Sequence, residues 1–336
     1  MPVTVRSFAK INFGLAIGPR RPDGFHALCT VYQTISLSDL LRVDVQRGTG
    51  IELRCRDNRV PCDESNTCWR VAERVMKLQK TRGKVVITIE KQLPVQGGLG
   101  AASSNGVATM LALERALGVE LQPEQRLRVA AEVGSDLALF LIGGTVLGLG
   151  RGEEVYPLED IPPVPVVIAV PNVGISTPAA FARWDAQFGG APDAPSNTDL
   201  TGSGASARIK VFSHRLFAWL TAALPTASVR AATGVPTERG NRAETMLLDL
   251  VRAGIENDFE RVVFPEHPEV REVKRGLERA GARYALLSGS GSAVYGLFAT
   301  VESAQAAAQK LAGSGVVALA GTTLTRPEYW RGMFAG

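Results

Sequence analysis

Residues 93–117 read LPVQGGLGAASSNGVATMLALERAL, and this stretch decides how the chain is interpreted. The residues that lead into it, 85–93, read VVITIEKQL, a β-branched run typical of a strand. Beyond the glycines, apolar residues recur at helical spacing, with Ser103 or Ser104 placed to cap the first turn and Gly118 to end the helix. The stretch therefore predicts an anion site, because glycines let the backbone approach a ligand and a helix N-terminus attracts phosphate.

Two known kinds of phosphate loop do not fit this stretch. It lacks the Gly-Lys-Ser/Thr ending of a P-loop, so the lysine that contacts transferred phosphates is missing here. The segment GGLGAASSN also lacks the G-x-G-x-x-G spacing of a dinucleotide fold, and no repeating βαβ series leads up to it. An ordinary tight turn between a strand and a helix stays open as the alternative, since glycine turns are common.

The composition leaves room for a large core and excludes several classes of protein. The chain has 336 residues, 45% of them hydrophobic, a length that predicts two domains. Its net charge of +4 is small and its basic residues are scattered, so we predict no nucleic-acid partner. The four cysteines show no C-x-x-C spacing, which argues against zinc or a disulfide frame. With no leader and no apolar run of membrane-spanning length, we predict a cytoplasmic protein without a membrane partner.

The first 26 residues place several polar side chains next to apolar ones. VTVRSFAKINFGLAI at 3–17 predicts a strand in which Lys10 and Asn12 share a face, because side chains two apart point the same way. An exposed strand face is the alternative for these two residues. Pro22-Asp23-Gly24 then supplies a turn that presents Phe25 and His26.

An acidic residue stands between two predicted helices. Pro123 begins the first of them and Gly134 ends it, and Asp136 then heads the strongly apolar run LALFLIGG. Asp136 could be an N-cap, a catalytic base, or both.

Other segments are read from local patterns alone. A helix is predicted to begin near Asn66 and to end at Gly83. The prolines at 162–165 predict a domain boundary, and the Pro/Gly-rich stretches around a short helix at 211–223 predict mobile loops. The turn SGSGS at 288–292 is either a hairpin or a second loop that faces phosphate.

Taken together, these motifs resemble the GHMP kinase superfamily, small-molecule kinases named for galactose, homoserine, mevalonate and phosphomevalonate. The family pattern P-A-K-I-N-L followed by R-x-D-G-Y-H appears as FAKINF at 8–13 and RPDGFH at 21–26. Its phosphate loop, P-x-x-x-G-L-G-G-G-S-S-D/N, appears at 94–105. Shorter elements also match: G-x-D at 134–136, S-T-P at 176–178 with Phe181 behind it, N-D-F at 257–259 and S-G-S-G at 288–291.

The resemblance implies the fold. We expect an α+β chain of two domains, a ribosomal S5 domain 2-like domain at 1–162 with the phosphate loop and a ferredoxin-like domain at 163–336. A flexible insertion near 189–240 lies outside the resemblance.

The resemblance also implies the roles of the site residues. Asp136 would accept the proton of the acceptor hydroxyl and Lys10 would orient that hydroxyl. ATP is the implied cosubstrate with Mg²⁺, whose protein ligands are left open, and the enzyme would be a monomer or homodimer. The implied substrate-binding residues are Asn12, Phe25, His26, Thr177 and Phe181. The implied ATP-binding residues are Asn66, Pro94, Gln96, Gly97, Gly98, Leu99, Gly100, Ala101, Ala102, Ser103 and Ser104.

The strand with Lys10 and Asn12, followed by the D-G-F-H element, points to one branch of the family. That branch phosphorylates the 2-hydroxyl of diphosphocytidyl methylerythritol, a cytidine diphosphate substrate, in isoprenoid precursor synthesis. A kinase of the homoserine or phosphomevalonate type, or a silent nucleotide-binding regulator on the same fold, stays open. The chain departs from the pattern at Ala101 and Ala102, which replace loop glycines, and at Phe25, which replaces tyrosine.

Overall fold

Ten strands and ten helices make up the part of the chain that the computed structural model describes, residues 2–95, 97–189, 205–222, 254–313 and 315–334. The strands are β1 (Val3–Arg20), β2 (His26–Gln46), β3 (Gly50–Cys55), β4 (Lys84–Glu90), β5 (Thr145–Leu149), β6 (Glu154–Pro157), β7 (Pro165–Pro171), β8 (Tyr284–Leu287), β9 (Val294–Leu297) and β10 (Val316–Thr322). The helices are α1 (Thr67–Leu78), α2 (Ala101–Leu117), α3 (Pro123–Val133), α4 (Leu137–Phe140), α5 (Thr177–Phe188), α6 (Ala205–Ala222), α7 (Glu260–Glu266), α8 (Pro268–Arg279), α9 (Val301–Leu311) and α10 (Arg326–Met333).

Two compact units share the chain, and neither is continuous in sequence. The first unit contains 1–11, 32–160 and 324–336, and the second contains 12–31 and 161–323. The continuous domains 1–162 and 163–336 stay a prediction. The compact units differ from them because the long strands β1 and β2 each contribute residues to both units.

The first unit is built on a mixed sheet covered by helices. Its strand order is β3-β4-β2-β5-β6, with β1 paired to β2. Strands β3 and β4 are parallel and α1 connects them, whereas β4 is antiparallel to β2. Helix α1 packs against α2 and α3, and the apolar faces form one core that includes Val71, Val107 and Phe140.

Helix α1 illustrates how local sequence sets the helix ends. The Asn66 side chain caps it by accepting from the Cys68 amide at 2.8 Å. The prediction that Gly83 ends this helix is wrong, because α1 ends at Leu78. Lys80 adopts a φ of 50°, and the Thr81 amide donates back to the Met76 carbonyl, so a lysine closes the helix in the conformation that glycine usually supplies.

The second unit contains a four-stranded antiparallel sheet. Its order is β10-β7-β9-β8, which is the 4-1-3-2 order of a ferredoxin-like domain when the strands are counted along the chain. Helix α8 precedes β8, and α9 connects β9 to β10. Strands β8 and β9 pair around the turn at 288–292, where the Ser288 amide donates to the Ala293 carbonyl at 2.8 Å. The hairpin interpretation of that turn is therefore confirmed.

The predicted insertion falls largely outside the described residues. Within 189–240 the structure describes Gly189 and α6, which begins six residues before the predicted helix at 211–223 and ends one residue before its end. Among the described residues, no helix is long and apolar enough to cross a membrane.

We predict that Gly143→Ala destabilises the protein more than Gly118→Ala. Both glycines have a left-handed backbone, with φ of 71° and 65°, so each alanine costs about 1 kcal/mol of strain. A Cβ at Gly143 would also overlap the ring of Tyr329, whereas nothing lies within 4 Å of one at Gly118. Overpacking should add about 1–3 kcal/mol at Gly143.

Urea unfolding of the two variants measures this difference as a free energy of unfolding. Equal losses would show that the core yields to the extra methyl group.

Candidate active site

Lys10 lies inside the first unit rather than on its surface. The strand β1 carries it, and only 3% of the residue is exposed, so the exposed-face interpretation is wrong for this residue. Its ammonium group donates to the Gly98 carbonyl at 2.8 Å, and its backbone amide donates to the Leu99 carbonyl at 3.0 Å. Lys10 therefore fastens the glycine loop to the sheet from both its side chain and its backbone.

A carboxylate and a phenol lie beside this buried cation. The Asp136 Oδ2 atom is 3.9 Å from Lys10 Nζ, and the Tyr32 hydroxyl donates to Asp136 Oδ1 at 3.2 Å. Lys10 Nζ is also 5.6 Å from the centre of the Tyr32 ring. Burial lowers the pKa of Lys10, and the Asp136 carboxylate opposes part of that shift. Burial, followed by Asp136, raises the pKa of Tyr32 well above its usual value, so its hydroxyl stays a hydrogen-bond donor.

Asp136 does not cap a helix with its side chain. It precedes α4, which has only four residues, and its carboxylate makes no capping bond. The side chain is 34% exposed, so a ligand can reach it. The side-chain cap considered for Asp136 is therefore wrong, and its role as an acid–base group stays a prediction.

The glycine loop bends sharply where it enters α2. Gly98 and Gly100 have φ of 80° and 69°, a left-handed backbone that favours glycine. A Cβ on Gly100 would lie 2.9 Å from the Phe140 ring and 3.0 Å from Lys10 Cγ. Gly100 is therefore required both by its conformation and by the approach of the lysine.

Helix α2 begins earlier than the serines suggested. Gly100 is its N-cap and no side chain caps it, so the prediction of a Ser103 or Ser104 cap is wrong. The left-handed glycine starts the helix directly, and the Ser104 amide already donates to the Gly100 carbonyl at 2.9 Å. The prediction that Gly118 ends the helix is confirmed.

The helix start offers backbone amides to an anion. Ala101 and Ala102 lie within α2, and neither has a positive φ, so their Cβ atoms fit without strain. The first-turn amides have no acceptor inside a helix, which makes this end of α2 suited to phosphate. Ser103 is half-buried, whereas the buried Ser104 hydroxyl accepts from Ser7 at 2.7 Å.

Two of the predicted ATP-binding residues, Asn66 and Gln96, gain no support from the structure. Both ends of the Asn66 side-chain amide are engaged, since Oδ1 caps α1 and Nδ2 donates to the Pro61 carbonyl at 2.7 Å. Gln96 lies outside the described residues.

The second unit brings together a separate group of predicted residues. The rings of His26 and Phe181 stack, with centres 5.1 Å apart and planes 9° apart. The rings of Phe181 and Phe259 meet in a T-shaped contact, with centres 4.9 Å apart. Asp185, one turn further along α5, lies 2.7 Å from His26 Nε2 through its Oδ1 atom. This cluster packs two phenylalanine rings with an imidazole that Asp185 orients.

The other predicted substrate residues of the second unit take different positions. The Asn12 amide is buried and donates to the Thr30 hydroxyl at 2.8 Å. Thr177 and Ser290 share a hydroxyl–hydroxyl hydrogen bond of 2.8 Å. Phe25 is 52% exposed, in the turn that follows β1.

Known proteins resemble the chain along most of its length. Two family models match it, "GHMP kinases N terminal domain" at 66–144 and "GHMP kinases C terminal" at 242–317. A 4-diphosphocytidyl-2-C-methyl-D-erythritol kinase of Solibacter usitatus is 35% identical over 88% of this chain and 80% of its own. One of the same name from Moorella thermoacetica is 34% identical over 92% of this chain and 94% of its own. The chain belongs to the GHMP kinase family.

Solved GHMP kinase structures have the same fold. A 4-(cytidine 5′-diphospho)-2C-methyl-D-erythritol kinase matches with a TM-score of 0.69 and 28% identity, over 95% of this chain and 98% of the other. A homoserine kinase from Cytophaga hutchinsonii matches with a TM-score of 0.65 and 19% identity, over 96% and 95% of the two chains, and at that identity shares the fold alone.

The family settles the coarse predictions. The chain is an ATP-dependent small-molecule kinase, and the predicted resemblance and two-domain α+β fold are confirmed. The roles assigned to individual residues of this GHMP kinase stay predictions.

Sequence reasoning missed three side chains that the structure places in these clusters. They are Tyr32 beside Asp136, Asp185 beside His26, and Asp39, which bonds the residues flanking the glycine loop. Asp39 carried a usable signal, because an acid inside a long apolar strand needs buried partners. Tyr32 and Asp185 carried none, since a tyrosine in a strand and an acid on a helix are ordinary.

We predict that Tyr32→Phe lowers kcat by roughly tenfold, because a hydrogen bond to a charged group contributes about 1.5–3 kcal/mol. The ring and its packing are kept, so the free energy of unfolding should change little. Steady-state kinetics of the kinase reaction measures the effect.

Tyr284→Phe is the matched control. Its half-buried side chain donates through its hydroxyl to the backbone carbonyls of Ile255 at 2.8 Å and Phe13 at 3.3 Å and to no carboxylate, so its loss should leave kcat unchanged. Equal kcat values for the two variants would remove Tyr32 from the candidate active site.

Proposed function

We propose that this GHMP kinase transfers the γ-phosphoryl group of ATP to the 2-hydroxyl of 4-diphosphocytidyl-2-C-methyl-D-erythritol, in isoprenoid precursor synthesis. The observation that carries the proposal is the similarity to relatives of that name, above 30% identity over most of both chains. The side-chain clusters of both units support it independently.

The first unit supplies the groups that phosphoryl transfer requires. The amides at the start of α2 bind the ATP phosphates, and the left-handed glycines keep side chains away from them. Asp136 accepts the proton of the attacking substrate hydroxyl. The oxygen of that hydroxyl bonds to the γ-phosphorus of ATP, and ADP leaves. Lys10 holds the loop through Gly98 and places positive charge beside the reacting oxygens.

Mg²⁺ accompanies ATP in this proposal. Among the described residues, no group of three or more His, Cys, Asp or Glu side chains could hold a metal ion. That fits magnesium, which binds nucleotides through phosphates, water and one or two protein oxygens. The Ser103 hydroxyl suits this role, because the Ser104 hydroxyl is bonded to Ser7. When bound, Mg²⁺ neutralises charge on the phosphates.

The second unit supplies groups suited to the cytosine ring. Phe181 offers an aromatic face in an orientation that Phe259 and His26 fix. Asp185 engages His26 Nε2, which leaves Nδ1 of the same ring to bond the edge of the base. A free small alcohol would gain nothing from such a cluster.

The alternatives differ from this proposal in what they need. A homoserine or phosphomevalonate kinase needs the first cluster and has no use for the stacked aromatic one. A silent regulator needs neither a buried lysine nor a carboxylate at the acceptor position.

A cytoplasmic location, a monomer or homodimer, and the absence of nucleic-acid and membrane partners stay predictions.

We predict that Asp136→Asn lowers kcat by roughly 10²–10⁴-fold, the usual contribution of a positioned acid–base group, and leaves ATP binding largely intact. A coupled assay of ADP release measures kcat, and circular dichroism checks the fold. Asp44→Asn makes the same change at a carboxylate of β2 that bonds the exposed Gln46, and should keep full activity. Near-normal turnover of Asp136→Asn would show that Asp136 is not the acid–base group.

We predict that the cytidine substrate is strongly preferred over its uridine counterpart. Uracil exchanges a donor for an acceptor at the edge of the ring, which leaves buried polar groups unpaired. Stacking contributes about 1–3 kcal/mol per base, so Phe181→Ala should lower kcat/KM for the cytidine substrate roughly 10–200-fold, with little change in KM for ATP.

Phe188→Ala, on the same helix but packed on Trp184, is the matched control and should be near neutral. Equal activity on the two nucleotides, or efficient phosphorylation of a free alcohol, would favour a different GHMP kinase.

A further inference from the structure

A carboxylate that the phosphoryl-transfer chemistry does not use lies fully buried in the first unit. Asp39 is 0% exposed and stands in the middle of β2. Its Oδ1 atom accepts from the backbone amides of Gln92 and Leu93, both at 2.9 Å. Its Oδ2 atom accepts from Lys91 Nζ at 2.6 Å and from Asn105 Nδ2 at 3.1 Å.

The four donors come from two short segments with the glycine loop between them. Residues 91–93 directly precede Pro94, where the phosphate-loop motif begins, and Asn105, within α2, is the last residue of that motif. One carboxylate thus joins the entrance and the exit of the loop.

We propose that Asp39 is a positioning residue for ATP, which holds the two ends of loop 94–104 at the separation that phosphate binding requires. It touches no reacting atom. The proposal rests on the proposed role of the loop in binding the ATP phosphates, and it adds the device that keeps the loop in shape before ATP arrives.

We call Asp39 and its hydrogen bonds to residues 91–93 and Asn105 the clamp. Burial strengthens these bonds. A carboxylate without water must keep its hydrogen bonds, because leaving a buried charge unpartnered is costly. Neither end of the loop can then move away without breaking a charge-assisted bond. The loop is ordered in advance, so ATP does not have to order it on binding, and this saving appears as affinity.

The same unit contains a matched control for the clamp. Glu114 is also buried, and its Oε1 atom accepts from the Leu121 amide at 2.7 Å and from Arg126 Nε at 3.0 Å. It fastens the turn between α2 and α3, which the proposed chemistry does not use. Glu114→Gln therefore neutralises a buried, structural carboxylate whose side chain bonds the α2–α3 turn rather than the phosphate loop.

The first test is Asp39→Asn, which keeps the shape and replaces one oxygen by a donor that faces Lys91 and Asn105. We expect the Kd of a fluorescent ATP analogue and the KM for ATP to rise roughly 10–100-fold, with little change in KM for the alcohol substrate. Glu114→Gln should lower Tm and leave both ATP constants unchanged. A loss of Tm in Asp39→Asn with normal ATP constants would overturn the proposal.

The second test is a swap, Asp39→Asn with Asn105→Asp. The new amide at 39 can donate to the new carboxylate at 105, so the charge-assisted bond across the loop returns. We expect the double variant to recover much of the lost ATP affinity. No recovery, in a double variant that folds, would contradict a clamp between these two residues.

Asn105→Ala decides the matter if Asp39→Asn does not fold. It removes only the bond at the exit of the loop and leaves the Asp39–Lys91 pair, and it should raise KM for ATP severalfold. An unchanged KM would overturn the proposal. If the wild-type protein itself fails to bind the ATP analogue, the assigned role of the loop is wrong, which is a different outcome from a clamp that fails.

Discussion

The first unit depends on the burial of one ammonium group. A cation without water costs several kcal/mol of free energy unless polar groups surround it, and Lys10 meets this demand with the Gly98 carbonyl and the nearby Asp136 carboxylate. The demand explains why a glycine must stand at 100, where any side chain would press on the lysine stem. The contacts that compensate the burial of the Lys10 ammonium thus also fix the path of the glycine loop and the position of the Asp136 carboxylate.

Much of this arrangement could be predicted because its signals are local. Gly118 ends α2 since a left-handed residue is needed there, and the apolar neighbours of Lys10 already indicated that it is not a surface residue. The glycine spacing of the loop likewise predicted the turn that leads from β4 into α2. These features depend on residues within one or two helical turns of each other.

The remaining features depend on partners that are distant in sequence. Tyr32 meets Asp136 across 104 residues, and Asp39 meets Lys91 and Asn105 across 52 and 66. Local sequence patterns also mislead where more than one nearby residue could begin or end a helix. Lys80 closed α1 although Gly83 was the better candidate, and Gly100 began α2 although two serines followed.

The composition of the first unit has a consequence for synthesis on the ribosome. Phe8 of β1 lies 5.6 Å from the ring of Tyr329 in α10, and both belong to the same buried core. Translation releases Phe8 more than three hundred residues before Tyr329. The core formed by residues 32–160 therefore lacks the side chains of α10 while the second unit is translated. The core surface around Phe8 therefore stays uncovered during synthesis until α10 has been translated.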